Sequence, residues 1–168
     1  LRVSSARDAN QVRALVDRRA RTGEIWRTWN SAPGQPQDGQ WAELDFPVPV
    51  RVRTVRLYNP RFGDEADASV QVHAATVSLF RDQNAPAPLA VAQAGALAVD
   101  GADVVFPDLV ARRVRVVLDE VSGRFYGMPL AALAEIEVIA RGEAVLAPEP
   151  GGGAAGIAAL LARALRAR

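Results

Sequence analysis

The segment Ser122-Gly123-Arg124-Phe125-Tyr126-Gly127 sets a guanidinium beside two aromatic rings within six residues. Asn59, Arg61 and Phe62 offer the same mixture further upstream, in a stretch rich in turn-forming residues. Side chains of these types suit a polyhydroxylated ligand. An aromatic face can lie under the C–H side of a sugar ring, while guanidinium and amide donors read its hydroxyls. Trp26, Trp29 and Asn30 fall beside a further loop. Trp29 and Trp41 are expected to be core residues. Phe125 and Tyr126 suit either role, ligand platform or buried loop anchor.

Catalytic chemistry has little to draw on. His73 is the only histidine and cysteine is absent, so Ser–His–Asp and Cys–His mechanisms would both rest on one ring. No serine sits in a nucleophile-elbow pattern, and a lone histidine at a strand entrance reads as a surface or packing residue. A carboxylate pair can hydrolyse glycosides. Asp64, Glu65 and Asp67, however, are crowded into one loop and read as a solvated acidic patch or a weak cation site. The Gly151-Gly152-Gly153 run follows Pro148-Glu149-Pro150 rather than a strand, so it is no dinucleotide fingerprint. The chain is expected to be non-catalytic, for want of a convergent acid, base or nucleophile.

The elements that must position these residues alternate with period two. Asp8 can cap a helix over residues 8–21, with Val12, Leu15, Val16 and Arg19 at helical spacing. Ala42, Leu44 and Phe46 share one face of a strand, which Pro47 and Pro49 interrupt. Val50–Tyr58 resumes as a strand whose apolar phase slips near Thr54, predicting a bulge or a late strand start. Residues 59–71 read as a polar loop and Ala75–Arg81 as a strand. Leu89–Phe106 reads as two short strands around Asp100-Gly101. Arg113–Asp119 alternates cleanly, residues 122–129 form a loop, and Ala134–Ala140 closes the pattern. About eight short strands without a βαβ rhythm predict an all-β, antiparallel sandwich of jelly-roll type, with a short N-terminal helix.

Composition narrows the partners. Twenty basic residues, all arginine, stand against 19 acidic ones for a net charge of +1, which argues against nucleic acid. Apolar residues make up 49% and charged residues 23%, enough for a genuine core. No stretch reaches the roughly 18 apolar residues of a membrane span. The organisation expected is a domain over 1–143 and a Pro/Gly linker with a short apolar, arginine-ended tail over 144–168.

The order of several motifs resembles the discoidin (coagulation factor type C, galactose-binding-like) family. These are Ala14-Leu15-Val16-Asp17, Trp29-Asn30-Ser31, Gln40-Trp41-Ala42-Glu43-Leu44-Asp45-Phe46 and Val55-Arg56-Leu57-Tyr58. Val114–Leu118 and Leu133–Val138 are similar to that fold's paired closing strands. Asp17 is followed by Arg18 where the family has glycine. The resemblance covers about residues 3–141 and implies an eight-stranded jelly roll holding ligands on loops at one end. It also implies a structural Ca2+ bound through Asp17, Thr28 and Glu135, with backbone carbonyls completing the six to eight oxygens calcium takes. Pro148-Glu149-Pro150, the Gly/Ala-rich run and the terminal arginines resemble a PEP-CTERM sorting signal, which implies export to the periplasm, cell surface or exterior.

The expected function is therefore a binding module for carbohydrate or cell-surface adhesion. Its site would comprise Asn59, Arg61, Phe62, Arg124, Phe125 and Tyr126. The competing reading is a protein-interaction or structural envelope module with no small ligand. The expected partner is a glycan or a cell-surface protein, with the membrane engaged only through the tail.

Overall fold

The computed structural model describes residues 1–18, 28–61, 68–125, 127–140 and 143–145. Its spine is an antiparallel ribbon of two long strands, β3 (Gln40–Tyr58) and β6 (Ala102–Phe125). Ala42, Leu44 and Phe46 of β3 are buried, and Val114, Val116 and Leu118 of β6 bury beside them. Further along, Val52, Val55 and Leu57 are buried with Val104 and Phe106.

The ribbon breaks its ladder twice. On β3, residues 46–49 fall between the pairs Asp45↔Arg113 and Val50↔Ala111. Pro47 and Pro49 there have no N–H to donate to a ladder, so the break costs no hydrogen bond at those positions. On β6, residues 106–108 fall between Val105↔Thr54 and Leu109↔Val52, and Asp108 takes a φ of 57°. This second shift is the bulge that the phase slip near Thr54 predicts. Extra residues on alternate strands bend the ribbon over itself.

The bent ribbon makes the two layers. One contains the first half of β3, the second half of β6, β1 (Arg2–Val3), β4 (Ala68–Phe80) and the edge strand β5 (Ala90–Ala94). In the other, β9 (Glu135–Ala140) pairs with the second half of β3, and β10 (Glu143–Val145) pairs with β9. Short pairings complete the frame: β7 (Met128–Pro129) on β6, and β2 (Trp29–Asn30) with β8 (Ala132–Leu133). The fold is the expected antiparallel β-sandwich.

The element boundaries differ from the sequence reading for physical reasons. The N-terminal helix is a 3-10 helix over Ala9–Val16, capped by Asp8, whose carboxylate accepts the Asn10 N–H at 2.8 Å. β4 begins at Ala68, inside the expected loop, because its polar start pairs with the end of β6. The strands expected before Phe106 and after Arg113 are one strand, since Pro107 sits at the bulge instead of ending the element. β6 also runs to Phe125, through the expected loop.

Trp29, Phe46, Phe125, Leu15, Leu44 and Leu57 lie between the layers, all less than 2.5% exposed. One glycine governs how closely the layers' strands approach. Gly123 has a φ of 108°, and a Cβ built there would fall 1.5 Å from the Ser69 carbonyl oxygen of β4. Gly127, with a φ of 73°, faces open space. Gly123→Ala is therefore expected to destabilise the fold by at least about 3 kcal/mol. Gly127→Ala should cost only about 1–2 kcal/mol. Urea unfolding of both variants measures the difference, and equal costs would contradict the close approach.

Candidate functional site

Strand register brings the residues singled out from the sequence to one end of the sandwich. β3 ends at Tyr58, β4 starts at Ala68 opposite Phe125, and Ser69 pairs with Arg124. Asn59, Arg61, Arg124 and Phe125 thus gather around the β3–β4 connection. They do not all remain available to a ligand.

Asn59 is 4% exposed and its amide is fully engaged. Nδ2 donates to the Val70 carbonyl at 3.0 Å and to that of Pro60 at 3.2 Å, and Oδ1 accepts the Val72 N–H at 3.0 Å. Its own N–H donates to the Ala98 carbonyl. Asn59 clips the end of β3 to β4, and its donors point into the fold. Phe125 is 2% exposed, in the core, with the Arg7 guanidinium 5.1 Å from its ring centroid. It is a loop anchor rather than a stacking surface. Phe62 and Tyr126 lie outside the described residues, as do Trp26 and the acidic Asp64, Glu65 and Asp67.

Three guanidiniums remain. Arg7, Arg61 and Arg124 are exposed, and among the described residues none forms an ion pair. Some arginines elsewhere are engaged: Arg115 with Glu43 at 3.5 Å, and Arg113 with the carbonyls of Gln83 and Ala85 while stacked 3.9 Å over the Phe80 ring. Arg7 escapes the sequence reading because nothing local marks it. Only the fold carries it to Phe125.

The frame beneath this end is polar and built from distant segments. Gln37 Nε2 donates to the carbonyls of Gly123 and Leu130, both at 3.0 Å, and Asp38 accepts the Val121 N–H at 2.8 Å. Ser31 exchanges hydrogen bonds with Ala131. Trp29 is fully buried, as expected, with its indole N–H on the Ser5 carbonyl at 2.9 Å. Trp41 departs from expectation. It is half-buried on the outer face, because its neighbour Ala42 takes the inward position, and the Arg115 guanidinium lies 4.7 Å over its ring.

The residues implied for calcium lie on or beside elements that pack together. The 3-10 helix, which Asp17 terminates, packs on both β2 and β9. Thr28 is buried and its carbonyl accepts Asn30 Nδ2 at 3.0 Å. Glu135, buried at the start of β9, pairs in register with Tyr58. Asn30 Oδ1 is buried without a hydrogen-bond partner, an orphan acceptor of the kind a cation or a water satisfies. Asp17 and Glu135 each already have a polar partner. Among the described residues no three His, Cys, Asp or Glu side chains group as metal ligands. The donor set is all oxygen, the chemistry of a hard cation, and backbone carbonyls would have to supply most of its shell.

His73 bulges from β4 and its Nε2 lies 2.6 Å from Ser122 Oγ on the outer face. No carboxylate among the described residues orients its other nitrogen, so the pair lacks the third member of a triad. No helix among the described residues is long and apolar enough to cross a membrane. The expected linker and tail lie outside the described residues, apart from the backbone of β10.

The division between clip and free donor has a direct test. Asn59→Ala is expected to cost roughly 2–3 kcal/mol by leaving buried partners unpaired, while Arg61→Ala and Arg124→Ala stay within about 0.5 kcal/mol of the parent. Denaturant unfolding of all three variants decides it. An Asn59→Ala variant as stable as the parent would contradict the clip.

No protein-family model matches the sequence, and no curated protein matches it. Solved structures do. The chain is similar to the lectin domain of lectinolysin complexed with Lewis B antigen, at 21% identity and a TM-score of 0.60, over 83% of this chain and 90% of that one. A Streptococcus pneumoniae fucose binding module matches at 21% identity and 0.61, over 83% and 89%. The family 32 CBM from C. perfringens NanJ, in complex with galactose, matches at 13% identity and 0.56, over 82% and 90%. These likenesses show a shared β-sandwich fold over more than four-fifths of the chain.

Proposed function

We propose that this chain is a non-catalytic, exported carbohydrate-binding module whose ligand sits at the loop end of the sandwich. The observation that carries the reading is the set of exposed guanidiniums of Arg7, Arg61 and Arg124, without carboxylate partners among the described residues, at the end where β3, β4 and β6 meet. Guanidinium forks donate in pairs and so match neighbouring hydroxyl or ring oxygens. The frame below is hydrogen-bonded from distant segments, which limits the loop entropy a ligand would have to quench. Two of the similar structures hold a Lewis B antigen and galactose, and a third is a fucose binding module, which supports a glycan here. Phe62 and Tyr126, on the same two connections, would supply the aromatic faces. The partner in this reading is a glycan on a cell surface.

Calcium would be structural. Bound near Asp17, Thr28 and Glu135, with the Asn30 amide oxygen as a further donor, it would fix the 3-10 helix against β2 and β9 and supply no chemistry to the ligand. The domain would span 1–143, with 144–168 serving as linker and sorting tail.

A second reading has its own support. Every residue from Gln83 to Val99 is uncharged, and this stretch contains the edge strand β5, flanked by exposed Leu89 and carrying Val91 at 56% exposure. An uncharged edge is a template for strand addition by another protein chain.

Titration of the protein with fucose and galactose, followed calorimetrically, separates the readings. Binding of one sugar, weakened about tenfold or more by Arg124→Ala or Arg61→Ala at unchanged stability, is the expected result. Unfolding with calcium at a hundredfold excess over its dissociation constant should gain about 2.7 kcal/mol by mass action, and Asp17→Ala or Glu135→Ala should abolish that gain. No sugar binding, together with a mass that rises with concentration, would move the assignment to the protein-interaction module.

A further inference from the structure

The outer face of the β9–β3–β6 layer holds a shallow groove of about 470 Å3, lined by residues other than those gathered at the loop end. Cross-strand register gives it two rows and a flank. Glu137, Arg56 and Asp103 stand side by side across the three strands, and Ile139, Thr54 and Val105 form the adjacent row. Arg53, at the bulge, flanks that second row.

The first row is a prearranged charged wall. Arg56 Nε donates to Asp103 Oδ1 at 2.5 Å and its Nη2 to Oδ2 at 3.0 Å, a bidentate pair. Its Nη1 lies 3.8 Å from Glu137 Oε2, which also accepts the Tyr58 hydroxyl at 2.9 Å. The Arg56 guanidinium holds the Asp103 carboxyl below the usual carboxylate range, and burial pushes the Tyr58 phenol up. Two carboxylates share one guanidinium, so the wall is net negative. Gly101 gives Arg56 room to lie this way. A Cβ there would fall 2.7 Å from Arg56 Cδ and 3.0 Å from Tyr58 Cε1.

The floor and the far flank differ in kind. Val105 is 67% exposed, and with Ile139 it makes the floor aliphatic apart from the Thr54 hydroxyl. Arg53 is exposed and has no carboxylate partner among the described residues, whereas Arg51 pairs with Asp108 and Arg56 with Asp103. The groove therefore runs from a negative wall, over an apolar floor, to a lone cation. A small inorganic anion drawn to Arg53 would use neither floor nor wall, and a neutral sugar would leave Arg53 unanswered. A sugar with an acidic carbon fits all three.

We propose that this groove is a second glycan subsite, lateral to the loop end and selective for a uronic acid. Its carboxylate meets Arg53, its hydroxyls donate to Asp103 and Glu137, and its C–H face lies on Val105 and Ile139. The inference rests on reading the chain as a carbohydrate-binding module, and makes that module bivalent.

Galacturonate and galactose differ only at the acidic carbon, so they are the probes, titrated into the 15N-labelled protein while amide shifts are followed. Galacturonate is expected to move the amides of Arg53, Thr54, Val105 and Ile139, and galactose is not. Arg53→Ala should weaken galacturonate tenfold or more, Arg53→Lys should retain part of the affinity, and added salt should weaken binding because the cation is exposed. Shifts that galactose produces around Arg61 and Arg124 should survive Arg53→Ala unchanged. Galacturonate shifts confined to the loop end, or indifferent to Arg53→Ala, would overturn the lateral site and leave the loop-end reading standing. If neither sugar moves any amide, both fall.

Discussion

A β-strand advances about 3.4 Å per residue, so the 24 residues of β6 would stretch roughly 80 Å if straight. A domain of this size has a radius of gyration of about 15 Å. The long ribbon of β3 and β6 must therefore bend, and the rest of the architecture depends on where. The bends fall at Pro47 and Pro49 on one strand and at Pro107 and Asp108 on the other. Each long strand then serves two layers, and the remaining strands attach to one half or the other. The same constraint sets the groove on the outer face, because Arg53 is the β3 residue left over at the second register shift.

The loop end shows how a small domain divides its polar side chains. Groups that close the frame, among them Asn59, Gln37 and Ser31, are turned inward and satisfied by backbone partners. An unmade hydrogen bond in the interior costs more than the made one contributes, so these residues are fixed by the fold before any ligand arrives. Arginines play the other part. The long stem lets the charge reach water while the methylenes cover apolar surface, and Arg7 sets its guanidinium over the Phe125 ring.

Much of the sandwich was legible in the sequence, since one buried and one solvated face leave a period-two trace. Ala42, Leu44 and Phe46 bury as their alternation implies, and the slip at Thr54 marked a genuine bulge. The expected strand stopped at Phe106, yet a proline at a bulge has no ladder bond to lose, so β6 continues through Pro107. The site was less legible, because residue type says what a group can do and not which way it points. Asn59 and Phe125 have the right chemistry and the wrong direction. Arg7 and the Gly101-supported wall of Arg56 depend on pairings between remote segments, for which a single sequence has no local signature.

The hydrogen bonds that close the loop end link residues far apart along the chain: Gln37 with Gly123 at a separation of 86, and Ser31 with Ala131 at 100. Closing loops this long is slow, and folds dominated by non-local pairing form late compared with helical ones. During synthesis the first half of β3 has only the two-residue β1 to pair with until the second half of β6 has left the ribosome, so neither layer can close early. The nascent chain stays open for most of its translation, with its apolar strands exposed and in need of a holding chaperone. That delay leaves the chain without any stable part that would have to be pulled apart until most of it has been made.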